Sequence, residues 1–424
     1  MYQVFAGNYD RVSCPVAFEI PASQLPAKNV AVRFEGGSTV PAGVEVMGDK
    51  ARVTFVMDDL LKEESVRFEL IPSENCCCGM EARLLDDKVE IYDDGDYVTK
   101  YYFGKDLFKP YMGPFFEKYG KQTTRLNFTI KEHPHHRSVW ISHGSVNGVD
   151  NWNEPADCGL ILNQGILDIV NTPVYCQFTS KNLWTKHDGV EKLCDETTTI
   201  RFYNTPASMR LVDVKITLTA SYGDVVLGET KEAGPIAVRM NDELVVGKTG
   251  RFETPFGVNE DEIWMNRAPW CDYTGKAEGH ACGIAIFDNT QNDSYPTYWH
   301  SRNYGLMAPN NFFKGGARTI KEGESMTWNF RLAFHNGDTK TAKIADRFGD
   351  YAFMPLVANR DEDDLEVLWP ADPARAKLPP VPADMDTTNW PPMPKWQKDV
   401  PEFFKALREL GVTDYPFRRP APKK

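Results

Sequence analysis

Val212-Asp213-Val214-Lys215-Ile216-Thr217-Leu218-Thr219-Ala220-Ser221-Tyr222 decides the fold class. Apolar and polar residues alternate over these eleven positions. Successive side chains of an extended chain point to opposite faces, so this strand has one apolar face and one wet face. Such a strand belongs in an antiparallel sheet packed on one side only. Met326, Trp328, Phe330, Leu332 and Phe334 repeat the pattern. Val89 to Tyr92, then Asp93-Asp94-Gly95-Asp96, then Tyr97 to Tyr101 reads as strand, tight turn, strand. The central ~250 residues carry almost no helical periodicity. The expected fold is mainly β, a large antiparallel β-sandwich.

Residues 1–80 read as a small β module of short strands, with Val53 and Phe55, then Val66, Phe68 and Leu70, alternating around turns. Its strands either stand apart or extend the main sheets. Residues 81–345 form the main sandwich. Residues 346–424 are an extension of different character, because twelve of the 29 prolines lie between Pro370 and Pro422. Proline excludes regular strand and long helix there. Asp338 is expected to cap a helix running to Phe348, with Gly349 near its end. Pro401 to Leu410 reads as a second helix, with Phe403, Phe404, Leu407 and Leu410 on one stripe. Trp369, Trp390 and Trp396 suit a tail that wraps the sandwich or a neighbouring subunit, which allows a homo-oligomer.

The chain has 424 residues, 42% hydrophobic and 25% charged, as expected of a globular protein. Its formal net charge is −12, and it has no block of five basic residues, so nucleic acid is not an expected partner. No apolar run approaches the ~20 residues of a spanning helix, so no membrane partner is expected. Met1-Tyr2-Gln3-Val4-Phe5-Ala6-Gly7-Asn8 lacks the basic and apolar regions of a secretory signal, and a cytoplasmic location is the expectation. Nine cysteines, an odd number spread along a long chain, argue against a disulfide framework. Cys76-Cys77-Cys78 reads as buried or partly buried thiols rather than a metal site, since adjacent side chains on an extended segment diverge.

The chemistry concentrates in His133-Pro134-His135-His136-Arg137, followed by Trp140 and His143-Gly144. Half of the eight histidines fall within eleven residues. Histidine titrates near neutrality and is the commonest metal ligand. Pro134 disfavours helical geometry at His133, so the block reads as extended. On a strand His133, His135, Arg137 and His143 would share a face, and His136, Ser138 and Trp140 would take the other. His133, His135 and His143 are therefore candidate ligands of a divalent metal, with Glu154, Asp150 or Asp157 as the carboxylate. No nucleotide cofactor is expected. A second group is Trp299-His300-Ser301-Arg302-Asn303-Tyr304, and a third is Trp264, Asn266, Arg267, Trp270 and Asp272-Tyr273. Trp and Tyr stack on sugar faces, and Arg, His and Asn bond hydroxyls or carboxylates. Arg239 lies in an alternating segment. Burying it inside the fold is expensive unless it is paired, so burial would mark a site.

From Lys109 to His335 the chain resembles the bacterial family labelled "methane oxygenase PmoA", also described as a domain of unknown function. The matching residues are Lys109-Pro110-Tyr111, Arg125, the His133–Arg137 block, and His143-Gly144 with Asn147-Gly148, Asp150 and Trp152. They continue with Thr230-Lys231-Glu232, Ala237-Val238-Arg239-Met240, Pro269-Trp270-Cys271-Asp272-Tyr273, Gly283 to Asp288 and Pro296 to Gly305. The resemblance implies a soluble protein with a shared fold and a site, and its label implies a metal-dependent oxygenase with iron or copper.

The favoured expectation is an enzyme acting on a sugar or glycoside by hydrolysis, elimination or isomerisation, on a sandwich resembling the galactose-mutarotase-type supersandwich. His133, His135, His143, Glu154, Asp272 and His300 are its candidate catalytic residues. Arg137, Trp140, Asn147, Trp152, Arg239, Trp270, Trp299, Arg302 and Tyr304 are the candidate substrate contacts. The alternatives are the metal-dependent oxygenase and a sugar-binding protein without catalysis, which would show stacked tryptophans but no converging His and carboxylate.

Overall fold

The structure is a computed structural model that describes residues 1–7, 9–74, 79–116, 120–125, 132–155, 157–206, 208–361 and 364–368. Cys76-Cys77-Cys78, the helix expected over Pro401 to Leu410 and the Pro- and Trp-rich tail lie outside the described residues. The fold is mainly β, with all strand pairs antiparallel. Among the described residues no helix is long and apolar enough to cross a membrane.

Residues 212–219 of the alternating stretch lie in the strand Met209–Thr219, in the middle of an eight-stranded sheet, while Ala220, Ser221 and Tyr222 fall beyond its end. It lies between Lys192–Tyr203 and Ser325–Asn336, the other alternating segment. Val212, Val214, Ile216 and Leu218 enter the main core together with Phe330, Leu332 and Phe334. The wet face carries a cross-strand ladder. Asp213 accepts from Arg331 Nε at 2.6 Å and Nη2 at 2.8 Å, and Thr217 meets Thr327 at 2.9 Å.

A seven-stranded sheet covers the apolar side of the first. Its order runs Leu306–Met307, Ala233–Arg239, Val139–His143, Tyr111–Met112, Asp96–Tyr102, Lys88–Asp93, Met80–Leu84. The expected hairpin is present: Asp94 (φ 50°) and Gly95 (φ 89°) make the left-handed pair of a two-residue turn. Met112, Val139, Ile236, Val238 and Met307 face the sandwich core. Their neighbours Tyr111, Trp140, Ala237 and Leu306 form a separate cluster with Trp152 and Ala308 on the opposite face. That outer face carries the site.

Strands between Tyr2 and Pro72 build an antiparallel sheet around Phe18, Phe34, Phe55 and Phe68. The module is completed from the other end of the chain. Leu356–Asp361 pairs with Tyr2–Phe5, and Asp364–Leu368 adds beside it. The segment after residue 346 thus packs on the main sandwich through a helix as far as Ala352 and then extends the N-terminal sheet. Val357 is buried beside Val4, and this apolar contact holds the added strands. The helix also differs from expectation and spans Ile344–Ala352. Asp338 accepts from the Thr341 N–H at 2.8 Å and heads a preceding turn instead. Gly349 lies inside the helix because a Cβ there would fall 2.8 Å from the Tyr9 ring.

Gly283 shows how tightly the large sheet is packed. It pairs with Thr274 on one side and His335 on the other. The His335 ring crosses this small residue to reach Asp272, 2.9 Å away, both fully buried. A Cβ on Gly283 would lie 2.7 Å from the ring and 2.7 Å from the Tyr273 carbonyl oxygen. Gly283→Ala is therefore predicted to destabilise the fold by about 1–3 kcal/mol through overpacking, read as a lower urea midpoint.

Candidate functional site

The histidine block is a turn, not a strand. The His136 N–H donates to the His133 carbonyl at 3.1 Å, with Pro134 and His135 between them. Proline's fixed φ suits the second position of such a turn. His133 (φ 45°) and Ser138 (φ 60°) adopt left-handed geometry on either side. Non-glycine residues there cost energy and cluster at functional sites. The expected face-sharing of His133, His135, Arg137 and His143 does not hold, because the turn cancels strand alternation.

Instead the turn gathers rings on the outer face. His133 stacks on His136 at 4.8 Å between centroids and on Tyr304 at 4.7 Å. His135 stands edge-on to His136 at 4.5 Å and 5.9 Å from His133. Trp140 lies under His136 at 5.1 Å, with Trp152 packed on Trp140 at 5.2 Å. Trp140 and Trp152 are each 1% exposed, so they form the floor. Tyr304 arrives on the Arg302–Leu306 turn. Gly305 (φ 95°) permits that turn, since a Cβ would lie 3.1 Å from Val245.

Arg239 is buried, its side chain 2% exposed, and it organises this group. Nη1 donates to His136 Nδ1 at 3.1 Å, and Nη2 donates to Glu132 Oε2 at 2.6 Å. Its guanidinium also lies over the Tyr304 ring at 4.7 Å. A guanidinium only donates, so His136 Nδ1 must offer a lone pair. His136 is therefore neutral with its proton on Nε2. Burial pushes its pKa well below the usual value, and the charges of His135 and Arg239 add to this. His135 is pushed down to about 4 by burial, then by Lys109 and His133.

Glu132 was not singled out in the sequence, being one acid among sixty. Besides Arg239 it accepts from Arg125 Nη1 at 3.3 Å and contacts His133 Nδ1 through Oε1. Burial raises its carboxyl pKa, but the bond and charge of Arg239 and the contact with His133 outweigh this and hold it below the usual range. Glu154 is locked. Arg137 grips it with Nε at 2.7 Å and Nη2 at 2.5 Å, and Lys109 adds a bond at 3.0 Å. Lys109 is 1% exposed and also donates to the Trp152 carbonyl at 2.7 Å.

Other candidates fall elsewhere. His143 points to the sandwich core, edge-on to Phe312 at 4.6 Å, with Nε2 3.1 Å from the Gly228 carbonyl. Strand alternation puts it on the face opposite Trp140, so it cannot join His133 and His135 around one metal. Asp150 accepts from the Trp152 and Asn153 N–H groups at 2.8 and 3.1 Å, shaping its own loop. Beside that loop an open cleft of about 390 Å³ is lined by Asp150, Asp157, Cys158 and His187. Among the described residues no three His, Cys, Asp or Glu side chains are placed to hold a metal ion, so these residues do not fit the metal that the oxygenase label implies. Asp272 is buried with His335, a partner the sequence reading did not identify. Asn147 pins a turn through Val226 N–H and the Asp224 carbonyl. Trp299 donates to the Ala268 carbonyl inside the main core, and Trp270 packs with Phe287 and Phe348 in another cluster. The two tryptophans therefore do not line one cleft with the histidines. Arg302 pairs with Glu260 at 3.3 Å over the Trp264 ring. His300 is 5% exposed, and burial pushes its pKa down to about 4.

Two outcomes follow. Glu154→Ala should destabilise the protein by about 3–5 kcal/mol in urea titration, because it leaves the buried Lys109 ammonium without its carboxylate. NMR titration should place the midpoints of His135 and His143 near pH 4. The unfolded chain takes up these protons near 6.5 and the folded chain only near 4. Both groups therefore remove stability as pH falls across that window and contribute none above it.

No curated protein matches the chain. Among solved structures it is similar to an alpha-galactosidase from Lactobacillus brevis, at 10% identity and TM-score 0.33, over 64% of this chain and 42% of that one. It is also similar to a protein in the glycosyl hydrolase family 38 from Enterococcus faecalis, at 10% identity and TM-score 0.36, over 86% and 47%. A galactose 1-epimerase from Lactobacillus acidophilus matches at 7% identity and TM-score 0.28, over 62% and 100%. The chain spans less than half the length of the first two. The methane oxygenase label finds no support in any of these comparisons. Residues 88–349, which contain every motif quoted above from Lys109 to Gly305, match a described family over well over half of the chain, and the protein belongs to DUF6807, a family of unknown function.

Proposed function

We propose that this chain is a carbohydrate-active enzyme that moves a proton at a sugar carbon, in an isomerisation or elimination, with His135 as the acid/base. The observation that carries this reading is a partly accessible imidazole, His135, packed edge-on at 4.5 Å against His136, the ring that the buried Arg239 guanidinium holds. A base that is neutral near pH 7 can take a proton without first losing one. The Arg239 guanidinium, on the far side of the His136 ring, would stabilise the oxyanion that forms. The surrounding donors match hydroxyl, carbonyl and carboxylate oxygens.

Hydrolysis fits the site less well. It generally needs two carboxyl groups across the scissile bond, about 5–9.5 Å apart. Glu154 is held by Arg137 and Lys109, and Asp272 is fully buried with His335. Among the described residues Glu132 is accessible on this face but already shared by Arg239, Arg125 and His133, and Asp242 lies 4.0 Å from Arg125.

The test is solvent exchange. A panel of aldoses, ketoses and sugar acids incubated with the protein in D2O should yield at least one sugar that gains deuterium at a carbon next to its carbonyl or carboxylate. His135→Gln should lower that rate about 10²–10⁴-fold while the melting temperature moves only a few degrees. The rate should stay level from pH 8 to 5 and fall as pH drops through about 4, where His135 becomes protonated. A base with the ordinary histidine value would lose activity near 6.5. Glycoside cleavage to a reducing sugar without deuterium incorporation would contradict the reading.

A further inference from the structure

Glu132 is held as a bound ligand would be held. Its side chain is 43% exposed, yet both oxygens are engaged. Oε2 accepts from Arg239 at 2.6 Å and Arg125 at 3.3 Å, and Oε1 contacts His133 Nδ1. The two guanidiniums belong to the scaffold, with side chains 2% and 4% exposed. Each is fixed without Glu132: Arg125 donates to the His133 carbonyl at 2.6 Å, and Arg239 donates to His136 at 3.1 Å. The carboxylate is the loose member of a rigid fork. Buried cations require an anion, and a carboxylate from a ligand meets that requirement as well as one from the protein.

We propose that Glu132 stands in the resting protein where a substrate carboxylate binds, and that the substrates of this site are sugar acids, such as uronates, held by Arg125, Arg239 and His133. This rests on the proton-transfer reading and gives it a substrate class. A carboxylate neutralised by two guanidiniums acidifies the C–H bond beside it. That bond breaks, its proton passes to the neutral imidazole of His135, and its electron pair spreads into the carboxylate. The extra negative charge lies against Arg125 and Arg239. Return of the proton from His135 to the same face restores the carbon, and in D2O leaves deuterium on it. Alternatively the electron pair forms a C=C bond and expels the oxygen on the next carbon, which takes the proton back from His135. Neither route needs an oxidant or a further reactant.

Because Glu132 is tethered beside the fork, it competes with the ligand at high effective concentration. Removing it should therefore tighten binding, the reverse of what loss of a ligand contact does. Calorimetry on the full chain with glucuronate, glucose and glucose 6-phosphate provides the test. Wild type should bind glucuronate about 10-fold or more tighter than glucose, and Glu132→Ala should tighten glucuronate again by about 10-fold. If Glu132→Ala does not fold, Glu132→Gln gives the same comparison, and the wild-type ranking stands by itself. Equal binding of glucose and glucuronate, or unchanged affinity in the Glu132 variant, would overturn the proposal. Preference for glucose 6-phosphate would overturn the carboxylate assignment. Deuterium exchange on a neutral sugar alone would sink this inference and leave the proton-transfer reading standing. Tight glucuronate binding without exchange would do the opposite.

Discussion

The guanidinium of Arg239, buried on the outer face of the seven-stranded sheet, is the constraint on which the site depends. A charge in that position is costly unless it is fully paired. Its pairing fixes two neighbours at once, the His136 ring through Nδ1 and the Glu132 carboxylate through Oε2. His136 in turn orders the stack, since Trp140 lies below it and His133 and His135 lie against it. The sandwich supplies rigidity beneath. Trp140 and Arg239 come from neighbouring strands whose other faces are anchored in the main core through Val139 and Val238.

Two carboxylates on this face are treated differently, and the difference separates scaffold from chemistry. Glu154 is sequestered by Arg137 and by the ammonium of Lys109, and it ties the loop carrying Trp152 to the block. Glu132 is accessible and shared between cations that do not need it to stay in place. On the proposed reading, His135, kept neutral at pH 7 by burial, is the group that takes the proton.

Much of this was legible in the residues. The alternation from Val212 to Tyr222 and from Met326 to Phe334 identified the paired central strands, and Asp94-Gly95 identified its turn. The His133–Arg137 block supplies the rings of the candidate site, and Arg239, which the sequence reading singled out only if buried, is 2% exposed. What failed did so for physical reasons. Reading the block as extended ignored the fit of Pro134 to a turn, and the error carried His143 onto the wrong face. Trp270 and Trp299 were read as ligand contacts because aromatic rings serve cores and sugar sites equally, and sequence alone does not separate the two uses. Glu132 gave no signal, since its significance comes from Arg125 and Arg239, distant in sequence. His335 and Asp272 meet only because Gly283 lets one ring cross a strand, a relation that no local pattern records.

The protonation of His136 is the most direct measure of the account. Long-range 15N–1H correlation spectra of the imidazoles at pH 7 distinguish a neutral ring with its proton on Nε2 from the other tautomer and from imidazolium. With Nδ1 accepting from Arg239, His136 should show the Nε2–H form at pH 7 and keep it to pH 5, and Arg239→Met should release that preference. A His136 that is protonated at pH 7, or that carries its proton on Nδ1, would mean that Arg239 does not hold the ring, and the proton-transfer site built on that contact would fall.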